Sequence, residues 1–361
     1  MNAAKGIGAA AAIVGASALL LRRSVSRKWI DYRSSQRDKD LTGQVYVVTG
    51  GNSGLGYEAA KDLAERGATV VIACRDMEKG YEAMESIMHA TENPDVECIE
   101  LDLGSLASVR EFVKIIQSHK QFSTITGLIL NAGVWVPPTE TGHSDDSEAE
   151  PLTSSPMKTQ DGYEVHFGVN HLGHFLLANS LVENVKKSGD GRIVFVASSL
   201  LKSGKLNFEA YDHIYNAREI PPGEKKGFAP PGYCDSKLFN ALTCKQLATT
   251  LPPEVATYSV CPGFCRSSLN RHTTMGMAVK ILAVPLMMLI QRTTVQGAQN
   301  IVFAALEDKK NLTSGAMYAD GEISKELTEY IDSFGIKGPK SLWAVSDMLI
   351  KDLDQLKTYE K

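Results

Sequence analysis

Tyr233 and Lys237 stand four residues apart in the run Gly-Tyr-Cys-Asp-Ser-Lys. On a helix that spacing stacks both side chains on one face. A phenol beside an ammonium can move protons, because the cation lowers the phenol pKa from its free value of about 10 toward working pH. A tyrosine tuned in this way gives a proton to a carbonyl oxygen or takes one from an alcohol. An ordinary helix surface also carries such pairs, so the meaning of this one depends on the rest of the chain.

Upstream lies Thr49-Gly50-Gly51-Asn52-Ser53-Gly54-Leu55-Gly56. The β-branched and aromatic run 44–49 before it reads as a buried strand, and 57–66 after it as an amphipathic helix ending at Gly67. Strand, glycine turn and helix together make a pyrophosphate site: the backbone comes close to the phosphates and helix-terminal N–H groups bind them. Gly50, Asn52, Ser53, Gly54, Leu55 and Gly56 are therefore candidate dinucleotide contacts. The next strand, 69–73, is followed by Cys74-Arg75-Asp76. An acid after this strand grips the ribose 2′-hydroxyl of NAD, whereas an arginine there accommodates the 2′-phosphate of NADP. Neutral Cys74 followed by Arg75 favours NADP(H) over NAD(H), with Asp76 pulling the other way.

With these elements in place the chain resembles the short-chain dehydrogenase/reductase family from about residue 41 onward. Thr-Gly-x-x-x-Gly-x-Gly matches the family's cofactor motif. Asp102, followed by Leu103, matches its adenine-contacting acid, and Asn131-Ala132-Gly133 resembles its Asn-Ala-Gly element after the fourth strand. The resemblance implies a catalytic tetrad of Asn170, Ser199, Tyr233 and Lys237, with Ser198 adjacent as the alternative serine. It also implies a nicotinamide-facing loop at Pro262-Gly263, with Ser267 nearby. Tyr233 and Lys237 then also touch the cofactor, and no metal is involved.

Cys74-Arg75-Asp76, Val169-Asn170-His171-Leu172-Gly173-His174-Phe175-Leu176, Gln296-Gly297-Ala298 and Ser314-Gly315-Ala316-Met317-Tyr318 are similar to the membrane-anchored retinol dehydrogenase group. That group implies a lipophilic alcohol or carbonyl as substrate. Two segments depart from the group's pattern. One is the long stretch 202–232 between Ser199 and Tyr233. The other is an insertion, 137–156, carrying Asp145, Asp146, Glu148 and Glu150. Both are expected as surface loops, the first beside the substrate mouth and the acidic second as a solvated excursion.

Strand-like runs alternating with helical stretches imply an α/β fold: one doubly wound (Rossmann) domain with a mainly parallel sheet and helices on both faces. The expected organisation is an apolar anchor at 1–21, a basic linker at 22–40, the dehydrogenase domain at 41–335 and a helical extension at 336–361. A formal charge of −4 with scattered Lys and Arg leaves no nucleic-acid footprint. Six cysteines lie singly at 74, 98, 234, 244, 261 and 265, none in a Cys-x-x-Cys pair, and read as free thiols in a reducing compartment.

Residues 6–21 carry no charge, and Arg22, Arg23, Arg27 and Lys28 follow at once. The run is short for a span, which takes about 20 apolar residues. Basic residues on its C-terminal side keep that side cytosolic. The expectation is an endoplasmic-reticulum anchor with a cytosolic catalytic domain, a mitochondrial membrane being the alternative. A second apolar stretch, 275–290, falls where the family carries a variable substrate lid, and its methionines and leucines suit a flexible apolar ligand.

The combined reading is an NADP(H)-dependent oxidoreductase interconverting a lipophilic alcohol and its aldehyde or ketone, with Tyr233 as acid and base. The alternatives are a low-turnover nucleotide-binding scaffold or sensor, and a nucleotide-sugar epimerase. The epimerases' Gly-x-x-Gly-x-x-Gly spacing is missing from this chain. A homodimer stays open.

Overall fold

Along the first strand, Val45 and Val47 face one hydrophobic layer while Tyr46 and Val48 face another. That two-sided burial follows from the alternation of side chains along a strand. It also explains why the strand runs are almost wholly apolar, since both faces of a parallel sheet are covered by helices. The computed structural model describes residues 30–32, 39–136, 158–206, 212–215, 229–265 and 291–359.

The elements alternate from β1 (Val45–Thr49) through α1 (Gly54–Glu65), β2 (Thr69–Cys74), α2 (Met77–Thr91), β3 (Val96–Glu100) and α3 (Leu106–Ser118) to β4 (Gly127–Leu130). A π-helical turn, His166–Leu172, leads directly into α4 (Gly173–Lys186) and then β5 (Gly191–Val196). A 3-10 turn follows at Ser199–Ser203, then α5 (Pro231–Thr250), β6 (Val255–Cys261) and α6 (Thr294–Leu306). The chain closes with β7 (Met317–Ala319), β8 (Glu322–Ile323), α7 (Lys325–Asp332) and α8 (Lys337–Tyr359).

The eight strands lie in the order β3-β2-β1-β4-β5-β6-β7-β8, all pairs parallel except β7 with β8. This is the Rossmann-like α/β architecture expected from the sequence. One layer joins α3, α4, α5 and α8; the other joins α1, α2 and α6. The order reverses between β1 and β4, and ligands of such sheets bind beyond the carboxyl ends of the strands at that point. The glycine loop after β1 and Asn131-Ala132-Gly133 after β4 flank this crevice.

Three details differ from the sequence reading. Strand β2 runs one residue further, to Cys74, which is buried rather than presented after the strand. Part of the 202–232 segment is packed rather than a surface excursion. Ile214 is fully buried there, and its carbonyl accepts the Glu164 N–H at 2.9 Å. Tyr32, within the 22–40 stretch, packs edge-on against Phe303 at 5.5 Å. Helix α8 lies against α5 and α4, with His171 Nε2 2.8 Å from Ser346 Oγ and Trp343 edge-on to Phe175.

Among the described residues no helix is long and apolar enough to cross a membrane. The apolar run 6–21, the insertion 137–156 and the stretch 275–290 lie outside them. The six cysteines are free thiols.

Candidate active site

The glycine loop is shaped by contacts that tolerate no side chain. A Cβ on Gly56 would lie 2.3 Å from the Gly50 carbonyl oxygen and 2.5 Å from Asn131 Nδ2. Gly54 takes φ +59 and opens onto free space. Ser53 holds the N-cap position of α1 in extended backbone, yet its hydroxyl makes no capping bond, and the first turn carries no acidic residue. The orphan N–H groups that every helix start leaves are therefore offered outward, toward an anion. This open cradle fits a dinucleotide pyrophosphate.

Thr49, at the end of β1, ties the cradle to β4. Its Oγ1 accepts the N–H groups of Asn131 and Ala132 at 2.9 and 3.0 Å. Asn131 Nδ2 donates back to the Thr49 carbonyl at 2.9 Å. His174 Nδ1 donates to the Asn170 carbonyl, which leaves Nε2 to accept the Thr49 hydroxyl at 2.9 Å. Burial pushes His174 down to about 3, so the ring stays neutral and the network keeps one polarity. The motif already contained Thr49; the histidine 125 residues on was a partner that local pattern could not reveal.

Arg75 is exposed on the bend after β2. The neighbouring Asp76 caps α2: its side chain accepts the Lys79 N–H at 3.2 Å and pairs with the Lys79 ammonium. Those bonds hold its carboxyl below the usual carboxylate range. The acid that argued against NADP is thus occupied by the helix it starts. Asp102 follows β3, with Oδ1 accepting the Gly104 N–H at 2.8 Å, and Leu103 beside it is buried.

Helix α5 carries both Tyr233 and Lys237, started by Pro231 in the first turn, where a missing N–H costs nothing. Both side chains are buried, and Lys237 Nζ lies 5.6 Å from the centre of the Tyr233 ring. The Lys237 ammonium donates to the Val196 carbonyl at 2.9 Å. The expected lowering of the phenol by this lysine is not found in the protein alone. Burial dominates and raises Tyr233 above the ordinary tyrosine value, opposed by a hydrogen bond with the Ser198 side chain. Burial likewise lowers Lys237 to about 8.

Two neighbouring serines follow β5, and the Ser198 side chain caps the 3-10 turn by accepting the Leu200 N–H at 3.2 Å. Ser199 starts that turn and is exposed. Asn170 is close but fully engaged: Oδ1 accepts the Val134 N–H at 2.7 Å, and Nδ2 donates to the Val134 carbonyl and to Ser236 Oγ. A Cβ on Gly133 would lie 3.2 Å from Asn170 Oδ1 and 3.5 Å from Lys237 Nζ, so glycine keeps open the space these two share.

The Pro262-Gly263 loop leaves β6 at the same edge of the sheet. It is clamped by Arg292, which forks onto Asp320 at 2.5 and 3.0 Å and donates to the Pro262 carbonyl. Gly263 takes φ +84, and a Cβ there would lie 2.6 Å from Arg292 Nη1. No sequence motif marked this clamp. Ser267 lies outside the described residues.

Comparison with known proteins supports the family and the fold. The family model for short chain dehydrogenases matches residues 44–212. Human retinol dehydrogenase 11 is 38% identical over 285 residues, covering 79% of each chain. Human retinol dehydrogenase 14 is 33% identical over 357 residues, covering 94% of this chain and 96% of its own. Among solved structures, an uncharacterized protein from Mycobacterium paratuberculosis superposes with a TM-score of 0.60 at 28% identity, over 87% of this chain and 96% of its own. L-Sorbose reductase from Gluconobacter frateurii, complexed with NADPH and L-sorbose, shares the fold with a TM-score of 0.57 at 19% identity, over 80% of this chain and 99% of its own.

Proposed function

The chain belongs to the short-chain dehydrogenase family and is an oxidoreductase acting on CH–OH and C=O groups; from that premise we propose that it interconverts a lipophilic alcohol and its aldehyde or ketone with NADP(H). The observation that carries the chemistry is one convergence. Tyr233 and Lys237, and the serines 198 and 199 that follow β5, lie at the same carboxyl-end edge of the sheet as the glycine cradle and the Pro262-Gly263 loop.

Gly50, Asn52, Ser53, Gly54, Leu55 and Gly56 hold the pyrophosphate, Arg75 the 2′-phosphate, and Asp102 and Leu103 the adenine. Asn131, Ala132 and Gly133 line the crevice between β1 and β4, and Pro262, Gly263 and Ser267 face the nicotinamide. When bound, the dinucleotide supplies or takes up the hydride.

The chain's own residues handle the charge and the proton. The Tyr233 hydroxyl delivers its proton to the substrate oxygen, or withdraws one in the oxidative direction. Ser199 donates to the same oxygen as negative charge develops on it, with the adjacent Ser198 as the alternative. The Lys237 ammonium stabilises the phenolate left behind, and protons return through the space beside Gly133 that Lys237 shares with Asn170.

Similarity to the retinol dehydrogenases supports a retinoid, steroid or other lipid as substrate. The uncharged run 6–21 followed by basic residues supports attachment to a membrane, with the catalytic domain on the cytosolic side of the endoplasmic reticulum. A panel of retinoids, steroids and long-chain aldehydes, assayed in detergent with NADPH and NADH, tests the reading. Turnover of at least one lipophilic carbonyl, faster with NADPH, is expected. Turnover confined to water-soluble sugars would overturn the substrate class.

A further inference from the structure

A carboxylate and an imidazole are buried together next to the candidate acid. Glu164 and His166 are 3% and 4% exposed, and the Glu164 Oε1 to His166 Nδ1 distance is 2.6 Å. The second carboxylate oxygen accepts the Phe167 N–H at 2.8 Å. On its far side, His166 Nε2 accepts the Val136 N–H at 3.0 Å. A backbone N–H is accepted only by an unprotonated nitrogen, so the ring proton sits on Nδ1 and points at Glu164. Each polar atom of the pair has a defined partner and a defined direction.

The π-helical turn that begins at His166 gives this arrangement a second use. Its i→i+5 bonding is rare and found mostly at functional positions. From this turn Asn170 holds both backbone groups of Val134, and His166 holds the N–H of Val136. Two side chains thus do the work of a neighbouring strand for the segment 134–136. Trp135, between those two anchor points, packs on Tyr233 with ring centres 4.6 Å apart at 57°. The His166 ring meets Tyr233 edge-on, 6.2 Å away at 84°.

We propose that Glu164 and His166 form a positioning pair that sets the ring plane of Tyr233, directly through the imidazole and indirectly through Trp135. Burying a carboxylate is costly unless donors surround it. Apolar side chains would fill the same space without that cost. What they lack is direction: an imidazole held in one tautomer fixes a ring plane, whereas a leucine does not. Gly232, just before Tyr233, completes the fit, because a Cβ there would lie 3.0 Å from both carboxylate oxygens. The first turn of α5 can therefore seat itself against Glu164. Sequence reasoning passed over both residues, since a Glu-x-His on its own carries no chemistry.

This inference rests on Tyr233 being the proton donor, and the test separates the two. The full chain in detergent is assayed with NADPH and a lipophilic aldehyde as wild type, His166→Leu, His166→Gln, Glu164→Gln, Tyr233→Phe and the double variant His166→Leu/Tyr233→Phe. His166→Leu is expected to lower kcat by roughly 10- to 100-fold, the range reached by misplacing a reacting group, with KM for NADPH unchanged. His166→Gln recovers part of the loss, because its amide can donate to Glu164 and accept from Val136. Glu164→Gln lowers kcat less than His166→Leu does, because an amide cannot accept from both His166 and Phe167. In the Tyr233→Phe background, His166→Leu adds nothing further, as expected for residues acting through one group.

Full losses from both substitutions, multiplying in the double variant, would overturn the positioning role. So would wild-type kcat in folded His166→Leu, while an inactive Tyr233→Phe left the functional reading standing. An active Tyr233→Phe would overturn the functional reading itself. If His166→Leu does not fold, His166→Gln and Glu164→Gln decide: unchanged kcat in both counts against the pair.

Discussion

Lys237 Nζ donates to the Val196 carbonyl at 2.9 Å and stands 5.6 Å from the centre of the Tyr233 ring, with both groups shut away from water. Burial moves the two in opposite directions, the phenol up and the ammonium down to about 8. Each shift favours the uncharged form. The protein alone thus holds Tyr233 as a neutral donor, and a lysine ready to give up its charge sits beside it.

The Lys237 shift has a thermodynamic signature. Below pH 8 the ammonium is charged in both folded and unfolded chains, and the folded state carries the full desolvation cost. Between about 8 and 10.5 the unfolded chain binds the extra proton, so stability rises with pH. Lys237→Met should stabilise the cofactor-free protein by about 1 to 2 kcal/mol at pH 7, after the lost Val196 bond is offset. The advantage should shrink by pH 10. Urea melts at both pH values check this, and a variant less stable at pH 7 would contradict it.

Tyr233→Phe removes the proton donor and keeps the ring against Trp135 and His166. Turnover should fall by at least about 10²-fold, the low end for general acid–base catalysis, with NADPH affinity unchanged. Full reductase activity in this variant would refute the catalytic assignment.

Ser198 and Ser199 are separable by substitution. Ser199→Ala is expected to cost about 10²-fold in kcat, as loss of an oxyanion donor does. Ser198→Ala should cost less, because that side chain is engaged in capping the 3-10 turn through the Leu200 N–H. The reverse ranking in steady-state assays would move the role to Ser198.

Arg75→Ala should weaken NADPH far more than NADH, because only NADPH carries the 2′-phosphate that a guanidinium grips. Asp76, tied to Lys79 and the start of α2, should not substitute for it on the ribose of NADH. Equal losses for the two cofactors, measured by fluorescence titration, would make Arg75 structural.

Topology has an internal reporter in Asn311-Leu312-Thr313, a sequon whose asparagine is exposed after α6 and bonded to Glu307 at 2.7 Å. A cytosolic domain leaves Asn311 unmodified and is digested by protease added outside intact microsomes. Membrane pelleting in high salt should be lost on deleting residues 1–21. A glycosidase-sensitive mass shift abolished by Asn311→Gln would place the domain in the lumen.

What the sequence by itself determined about this protein is what depends on neighbours within a few residues. Alternation along 45–49 and 69–74 carries the two-sided sheet. The glycine spacing 50–56 carries the cradle, because a left-handed residue and a close backbone approach leave few other choices. The four-residue spacing of Tyr233 and Lys237 puts both on one face of α5.

Tertiary structure decided everything that depends on desolvation or on partners distant in the chain. The direction of the Tyr233 shift was misjudged from spacing, because spacing shows the cation but not the burial that outweighs it. The 3-10 turn that Ser198 caps and Ser199 opens sets how the two hydroxyls are presented, which their adjacency alone does not. Arg292 reaches Pro262 across 30 residues and His174 reaches Thr49 across 125. Such contacts are selected by the packing of whole layers against one sheet, and no local pattern of side chains encodes them.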